Sequence, residues 1–225
     1  MTIDIADVIK RSFVTLFTER LIFALAVMYT IIGVLFDFLV SSLNLPQITS
    51  ASIASTAPYT ASLEYVAIYA IFFIIFTLFV QEIVFIKVYT KRKGISSIIV
   101  MAARRFPYFL ATNILAAVIV ILGLVAFIIP GIYLAFRLLL APVSSVVEKN
   151  GPLSALQRSW EISEGKWWNL FALFLLLGII AGMLGLIPYV SYFFNFLIII
   201  AYPIVLLQLV PRKRGKRKNV RHSVR

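Results

Sequence analysis

A chain of 225 residues that is 62% hydrophobic and only 13% charged, with a mean hydropathy of +1.01, cannot be an ordinary water-soluble domain. Its net charge of +12 raises nucleic acid as a partner, but the cations flank apolar runs rather than alternate with exposed aromatics, so no nucleic acid is expected and anionic lipid is the expected counter-surface. Zero cysteines exclude disulfides, thiolate metal sites and thiol catalysis, and the lone histidine, His222, excludes a histidine-built metal centre.

The chain opens on an amphipathic stretch, with Ile5, Val8, Ile9, Phe13, Leu16 and Phe17 along one stripe and Asp4, Asp7, Lys10 and Arg11 elsewhere around it. This is too polar, and the run after it too long, for a cleaved signal peptide, so the first span is expected to be retained. A membrane-crossing helix needs ~20 mostly apolar residues for ~30 Å of hydrocarbon. Spans are expected at about 21–43, 65–87, 108–129, 132–147, 167–187 and 189–210, six in all, with tight turns at Pro130-Gly131 and at Pro188. The fourth is the shortest and carries Arg137 and Pro142. Residues 1–210 then form a single polytopic domain, and 211–225 a basic tail with too little to bury to fold alone.

Lysine and arginine resist translocation, so their distribution orients the spans. Three lie before the first span, six between Lys87 and Pro107, three between Glu148 and Lys166 and eight in the tail, whereas Asn44 to Glu64 has none. That distribution predicts a multi-pass protein of the cell membrane with both termini cytoplasmic. The chain also reads as three repeats of a short amphipathic cytoplasmic helix followed by a helical hairpin: Gly94 and Gly151 are 57 residues apart, Ser97 and Ser154 likewise, and Pro130 and Pro188 are 58 apart. The fold class is therefore all-α, six transmembrane helices as three hairpins. The short helices either lie on the membrane surface or pack on the protein's own cytoplasmic face.

Trp160, Trp167, Trp168 and Tyr108 fall where an aromatic belt forms, beside Lys166, Arg104 and Arg105. Polar groups deeper in the spans form two expected layers. Arg137 is the one cation outside the cytoplasmic segments, and counting from the outer turns puts it at the depth of Asp37 and Asn195. That depth predicts an Asp37–Arg137 ion pair with Asn195 close by. Glu82, Asn113, Ser144 and Ser145 form an inner layer, with Gln81 and Gln208 nearer the surface. Such layers either fix helix register or line a polar pathway or lipid-headgroup pocket. Gly178, Gly182 and Gly185 give the fifth span a small-residue face, read as packing inside the bundle in preference to dimerisation. Pro142 and Pro203 should bend their helices. In the tail, Arg212, Lys213, Arg214, Lys216, Arg217 and Lys218 are expected to meet anionic headgroups at ~1 kcal/mol each.

There is no HExxH, P-loop, GxSxG or carboxylate cluster, so no catalytic residues, metal or cofactor are assigned. The block Ile129-Pro-Gly-Ile-Tyr-Leu-Ala-Phe-Arg137, then Glu148-Lys-Asn-Gly-Pro-Leu-Ser-Ala-Leu-Gln-Arg-Ser-Trp160 and Gly165-Lys-Trp-Trp168, resembles the multi-pass membrane domain attached to some prokaryotic glycerophosphodiester phosphodiesterases, and its stand-alone relatives. The resemblance implies a membrane module beside lipid-related proteins, with Arg137, Glu148, Arg158, Ser159 and Trp160 matching its pattern; the phosphodiesterase chemistry sits in a separate domain and does not carry over. The expected function is a non-catalytic membrane scaffold or accessory subunit that binds lipid and works with a protein partner or a second copy. The runner-up is a small oligomeric transporter or channel-like protein, and third a lipid-modifying membrane enzyme.

Overall fold

The computed structural model describes residues 3–42, 59–90, 94–184, 186 and 190–210, so the loop after the first span, Gly185, Pro188 and the basic tail with His222 lie outside the described residues. The described chain is helical: α1 (Ile5–Thr18), α2 (Arg20–Ser42), α3 (Tyr59–Tyr89), α4 (Ile95–Ala126), α5 (Ile128–Leu138), α6 (Ala141–Val147), α7 (Pro152–Ser163), α8 (Trp167–Leu184) and α9 (Val190–Leu209). Six segments are long and apolar enough to cross a membrane, the fourth being Ile128–Val147 with α5 and α6 together. Val125 is 80% exposed and Ile129 82%, an outer surface that only a hydrocarbon solvent stabilises.

Local chemistry sets the helix ends. The Asp4 carboxylate caps α1 by accepting from the Asp7 N–H at 3.0 Å, and Asp7 pairs with Arg11 one turn on. Extended backbone at Glu19 separates α1 from α2. Gly94 and Gly151, equivalent in the repeat spacing, both precede helices in extended backbone and cap α4 and α7. The repeat does not extend to a separate second lead-in helix, however: α4 runs without interruption for 32 residues through Pro107. The helix continues through the proline with Ile98, Ala102 and Phe109 buried on either side of it, and that burial offsets the missing hydrogen bond.

α9 is the hub. It packs against α1, α2, α3, α6 and α8 and contributes Phe196, Leu197, Ile200, Ala201, Val205 and Leu206 to the core. Pro203 lies inside it without ending it. Pro142 does end a helix: it lacks the N–H that Leu138 would bond, and the span breaks over Leu139 and Leu140 into α5 and α6.

The chain reverses at Phe127, earlier than the Pro130-Gly131 turn expected, and both residues sit inside α5. The reversal needs glycine on both sides. A Cβ built on Gly131 would come 2.5 Å from the Leu124 backbone nitrogen, and one on Gly123 would come 3.1 Å from the Gly131 Cα. By contrast, a Cβ on Gly178 or Gly182 meets nothing within 4 Å, so the expected intrabundle packing of this glycine face is not formed; both point away from the bundle because α8 buries the opposite face through Leu170, Leu173 and Leu177. Gly131→Ala is therefore expected to cost about 2 kcal/mol of stability, the scale of overpacking. Gly178→Ala should cost nothing measurable, and thermal unfolding of the two detergent-solubilised variants side by side checks the contrast.

Candidate functional site

The break at Leu139–Leu140 creates the most organised polar cluster of the described chain. Without regular helix there, the Arg137 carbonyl and the Leu140 N–H need other partners. Ser159 of α7 supplies both: its hydroxyl donates to the Arg137 carbonyl at 2.8 Å and accepts from the Leu140 N–H at 3.2 Å. Ser163, one turn on, donates to the same carbonyl at 3.2 Å. Ser159 and Ser163 are fully buried, so α7 is riveted to the kink by groups that water does not reach.

Beside this rivet lies a carboxylate node. Glu148 accepts from the Ser144 hydroxyl at 3.0 Å, the Asn150 amide at 3.1 Å and the Arg158 Nε at 3.1 Å, and Arg158 reaches on to Glu161 at 3.4 Å. The hydrogen bond to Glu148, with the charges of both carboxylates, raises the Arg158 pKa above its usual value. Arg105 of α4 donates to the Lys149 carbonyl at 3.3 Å and ties the same corner to a third element.

The Arg137 side chain is 5% exposed and packs under the Trp160 ring, its guanidinium carbon 4.2 Å from the ring centroid and 5.7 Å from that of Tyr133. Rings continue from there: Tyr133 to Trp167 at 5.8 Å, Phe136 to Phe171 at 5.2 Å and Trp167 stacked on Phe171 at 5.3 Å. Trp160 is thus engaged in the cluster, whereas Trp168 is 73% exposed and Tyr108 half exposed, with Arg105 over its ring.

The Asp37–Arg137 ion pair does not form. Arg137 is level with the first turn of α8 through its neighbour Phe136, which meets Trp167, whereas Asp37 accepts from the Tyr192 hydroxyl at 2.9 Å near the start of α9. The first turn of α8 and the first turn of α9 are at opposite ends of the bundle. Depth counted from Pro130-Gly131 misplaced Arg137 because the reversal is at Phe127 and α5 extends farther from it. Tyr192 reaches Asp37 across Gly33, where a Cβ would meet its ring at 2.7 Å. Asn195, one turn from Tyr192, is exposed and takes no part.

The inner layer is not one network either. Asn113 donates to the Phe109 carbonyl in its own helix, Ser145 to that of Pro142, and Ser144 belongs to the Glu148 node. Glu82 is fully buried in α3, and neither carboxylate oxygen is hydrogen-bonded among the described residues. Gln208 clasps α1 to α9 by donating to Asp7 at 2.8 Å and accepting from the Asp4 N–H at 3.3 Å.

A second feature opens at the α1 corner. Arg11, Thr15, Thr18, Glu19, Lys87 and Gln208 rim a cleft of about 380 Å³ whose apolar lining includes Ile22, Val88 and Ile204. Lys87 and Glu19 pair across it at 3.2 Å. Sequence reading counted these cations as topology signals; nothing in their spacing revealed that three separated segments converge.

A family described as a domain of unknown function, DUF7847, matches residues 64–212. The chain belongs to that family. No curated protein and no solved structure matches the chain. Nothing in these comparisons links it to the membrane domain of glycerophosphodiester phosphodiesterases. The DUF7847 match contains the whole Arg137–Glu148–Trp160 cluster and Glu82, whereas Arg11, Glu19 and Asp37 lie before it. Gly185 and Arg212, Lys213, Arg214, Lys216, Arg217 and Lys218 lie outside the described residues.

Proposed function

We propose that this DUF7847 protein is a non-catalytic membrane module, an accessory or scaffold subunit of the cell membrane, that engages anionic phospholipid at its cytoplasmic face. The cleft at the α1 corner carries the reading. Arg11 and Lys87 offer two cations, Thr15, Thr18 and Gln208 offer neutral polar groups, and Val14, Ile22, Ile204 and Leu207 line the rest with hydrocarbon. A lipid with an anionic head and apolar tails matches that division. Glu19 neutralises part of Lys87 and Asp7 part of Arg11, which favours a singly charged headgroup over a multiply charged one.

Native mass spectrometry of gently extracted protein tests this. Wild type should retain phosphatidylglycerol, and Arg11→Ala/Lys87→Ala should lose most of it; equal retention by both proteins would remove the cleft from the account. The same spectra report oligomeric state and retained partners. Lysine and arginine placement supports both termini in the cytoplasm, and the absence of native cysteine makes labelling clean. In intact cells a membrane-impermeant maleimide should label Ser50→Cys and spare Ser223→Cys until the membrane is opened. The reverse pattern would invert the topology.

A further inference from the structure

Arg137 is a cation without an anion. It is 5% exposed, yet it makes no ion pair or side-chain hydrogen bond among the described residues, and its Nε–H is buried without an acceptor. A stranded buried guanidinium is among the most costly arrangements available to a protein. Its ring contacts with Trp160 and Tyr133 lessen that cost without supplying an oxygen. The acids of the adjoining elements do not supply one either: Glu148 and Glu161 are held by Arg158, and Glu164 is exposed and makes no ion pair among the described residues.

A second donor is stranded in the same place. The Trp167 Nε1–H is buried without an acceptor, and the Trp167 ring lies 5.8 Å from the Tyr133 ring that also faces Arg137. Two buried N–H groups on different elements, α5 and α8, are thus left open around one tyrosine. Buried donors are satisfied in folded proteins with few exceptions, and here two exceptions border the same ring. Tyr133, 40% exposed, and Trp160, 39% exposed, form the rim through which an acceptor would arrive.

We propose that Arg137 and Trp167 bind one phosphate group that carries a single negative charge and two free oxygens. One guanidinium matches one charge; the planar fork of arginine and the neutral indole N–H can each take an oxygen. A phosphomonoester, at about −1.5 to −2 near neutral pH, exceeds the single cation present. A phospholipid phosphodiester has the required charge and lies at the depth where tryptophan belts form. The site is separate from the α1 cleft and does not depend on it.

All three tryptophans of the chain, Trp160, Trp167 and Trp168, lie at or beside this site, so intrinsic fluorescence reports on it alone. The whole protein in a non-ionic detergent is titrated with mixed micelles of phosphatidylglycerol and, separately, with inorganic phosphate. Wild type should give a saturable emission change with the lipid. Arg137→Gln should weaken the midpoint by about tenfold or more, and Trp167→Phe, which keeps an aromatic ring and removes only the donor, by about threefold to tenfold. Arg11→Ala/Lys87→Ala should leave it unchanged, which separates this site from the cleft. Saturation by inorganic phosphate with the same dependence on both residues would overturn the assignment to a singly charged phosphodiester, because that ion carries more than one charge near neutral pH. If Arg137→Gln does not fold, Trp167→Phe decides. An unchanged midpoint in Trp167→Phe, or no response of folded wild type to either probe, overturns the proposal.

Discussion

Glu148→Ala should lower stability by about 3 kcal/mol, the largest loss expected from any single polar truncation in this chain. The reason is convergence. One carboxylate accepts from Ser144, Asn150 and Arg158, so the deletion removes the acceptor shared by α6, the following loop and α7 and leaves the fully buried Ser144 hydroxyl without one, while Asn150 keeps its bond to Ser144. A hydrogen bond to a charged group contributes about 1.5–3 kcal/mol, but the three do not add, because Arg158 keeps Glu161 and its side chain is 35% exposed. Arg158→Ala should therefore cost less, about 1 kcal/mol, since Glu148 retains Ser144 and Asn150. In thermal unfolding, 3 kcal/mol corresponds to a drop of roughly 6–12 °C for a chain of this size. A double-mutant cycle over Glu148 and Arg158 separates the pair from the rest of the node. Equal costs for the two single variants would mean that the ion pair, and not the node, holds α7 in place.

What could be read from the chain follows from which signals are local. Apolar length and cation placement need no knowledge of neighbours, and the six membrane-length segments follow from them. The bend at Pro142 was legible, but Arg137, Glu148, Arg158, Ser159 and Trp160 came together only through the family resemblance, and the residues themselves placed Arg137 with Asp37. Rotation was not legible. Asp37 finds Tyr192, 155 residues away, and Arg137 finds Trp160 and Tyr133, because helix azimuth and the true point of chain reversal decide which polar groups meet. Counting residues from a turn measures depth only when the turn is correctly placed, and the Gly123–Gly131 approach moved it. The glycine face of α8 failed for a related reason: spacing permits close approach, but only a partner helix on that side makes it.

Glu82→Leu should raise stability by about 3 kcal/mol, opposite in sign to almost every other core polar substitution. Glu82 is fully buried between Val80 and Phe85 on a helix whose neighbouring residues Ile83, Val84 and Ile86 are also buried, and no donor among the described residues reaches either oxygen. Leucine is close in volume, removes an unpaired buried polar group and adds apolar contact, and such replacements of buried charge in proteins are neutral to stabilising by about 1–4 kcal/mol. Glu82→Gln should gain little, because an amide brings donors as well as an acceptor into the same dry position. Thermal unfolding of the three proteins in one detergent checks the order Leu above Gln and wild type. A lower melting temperature for Glu82→Leu would mean that the carboxyl group has a partner in the membrane, whether water or ligand. If the expected order holds, the chain keeps a residue that lowers its stability when leucine would serve the fold better, and ionisable groups kept in that way inside a membrane are those on which a protein's activity depends.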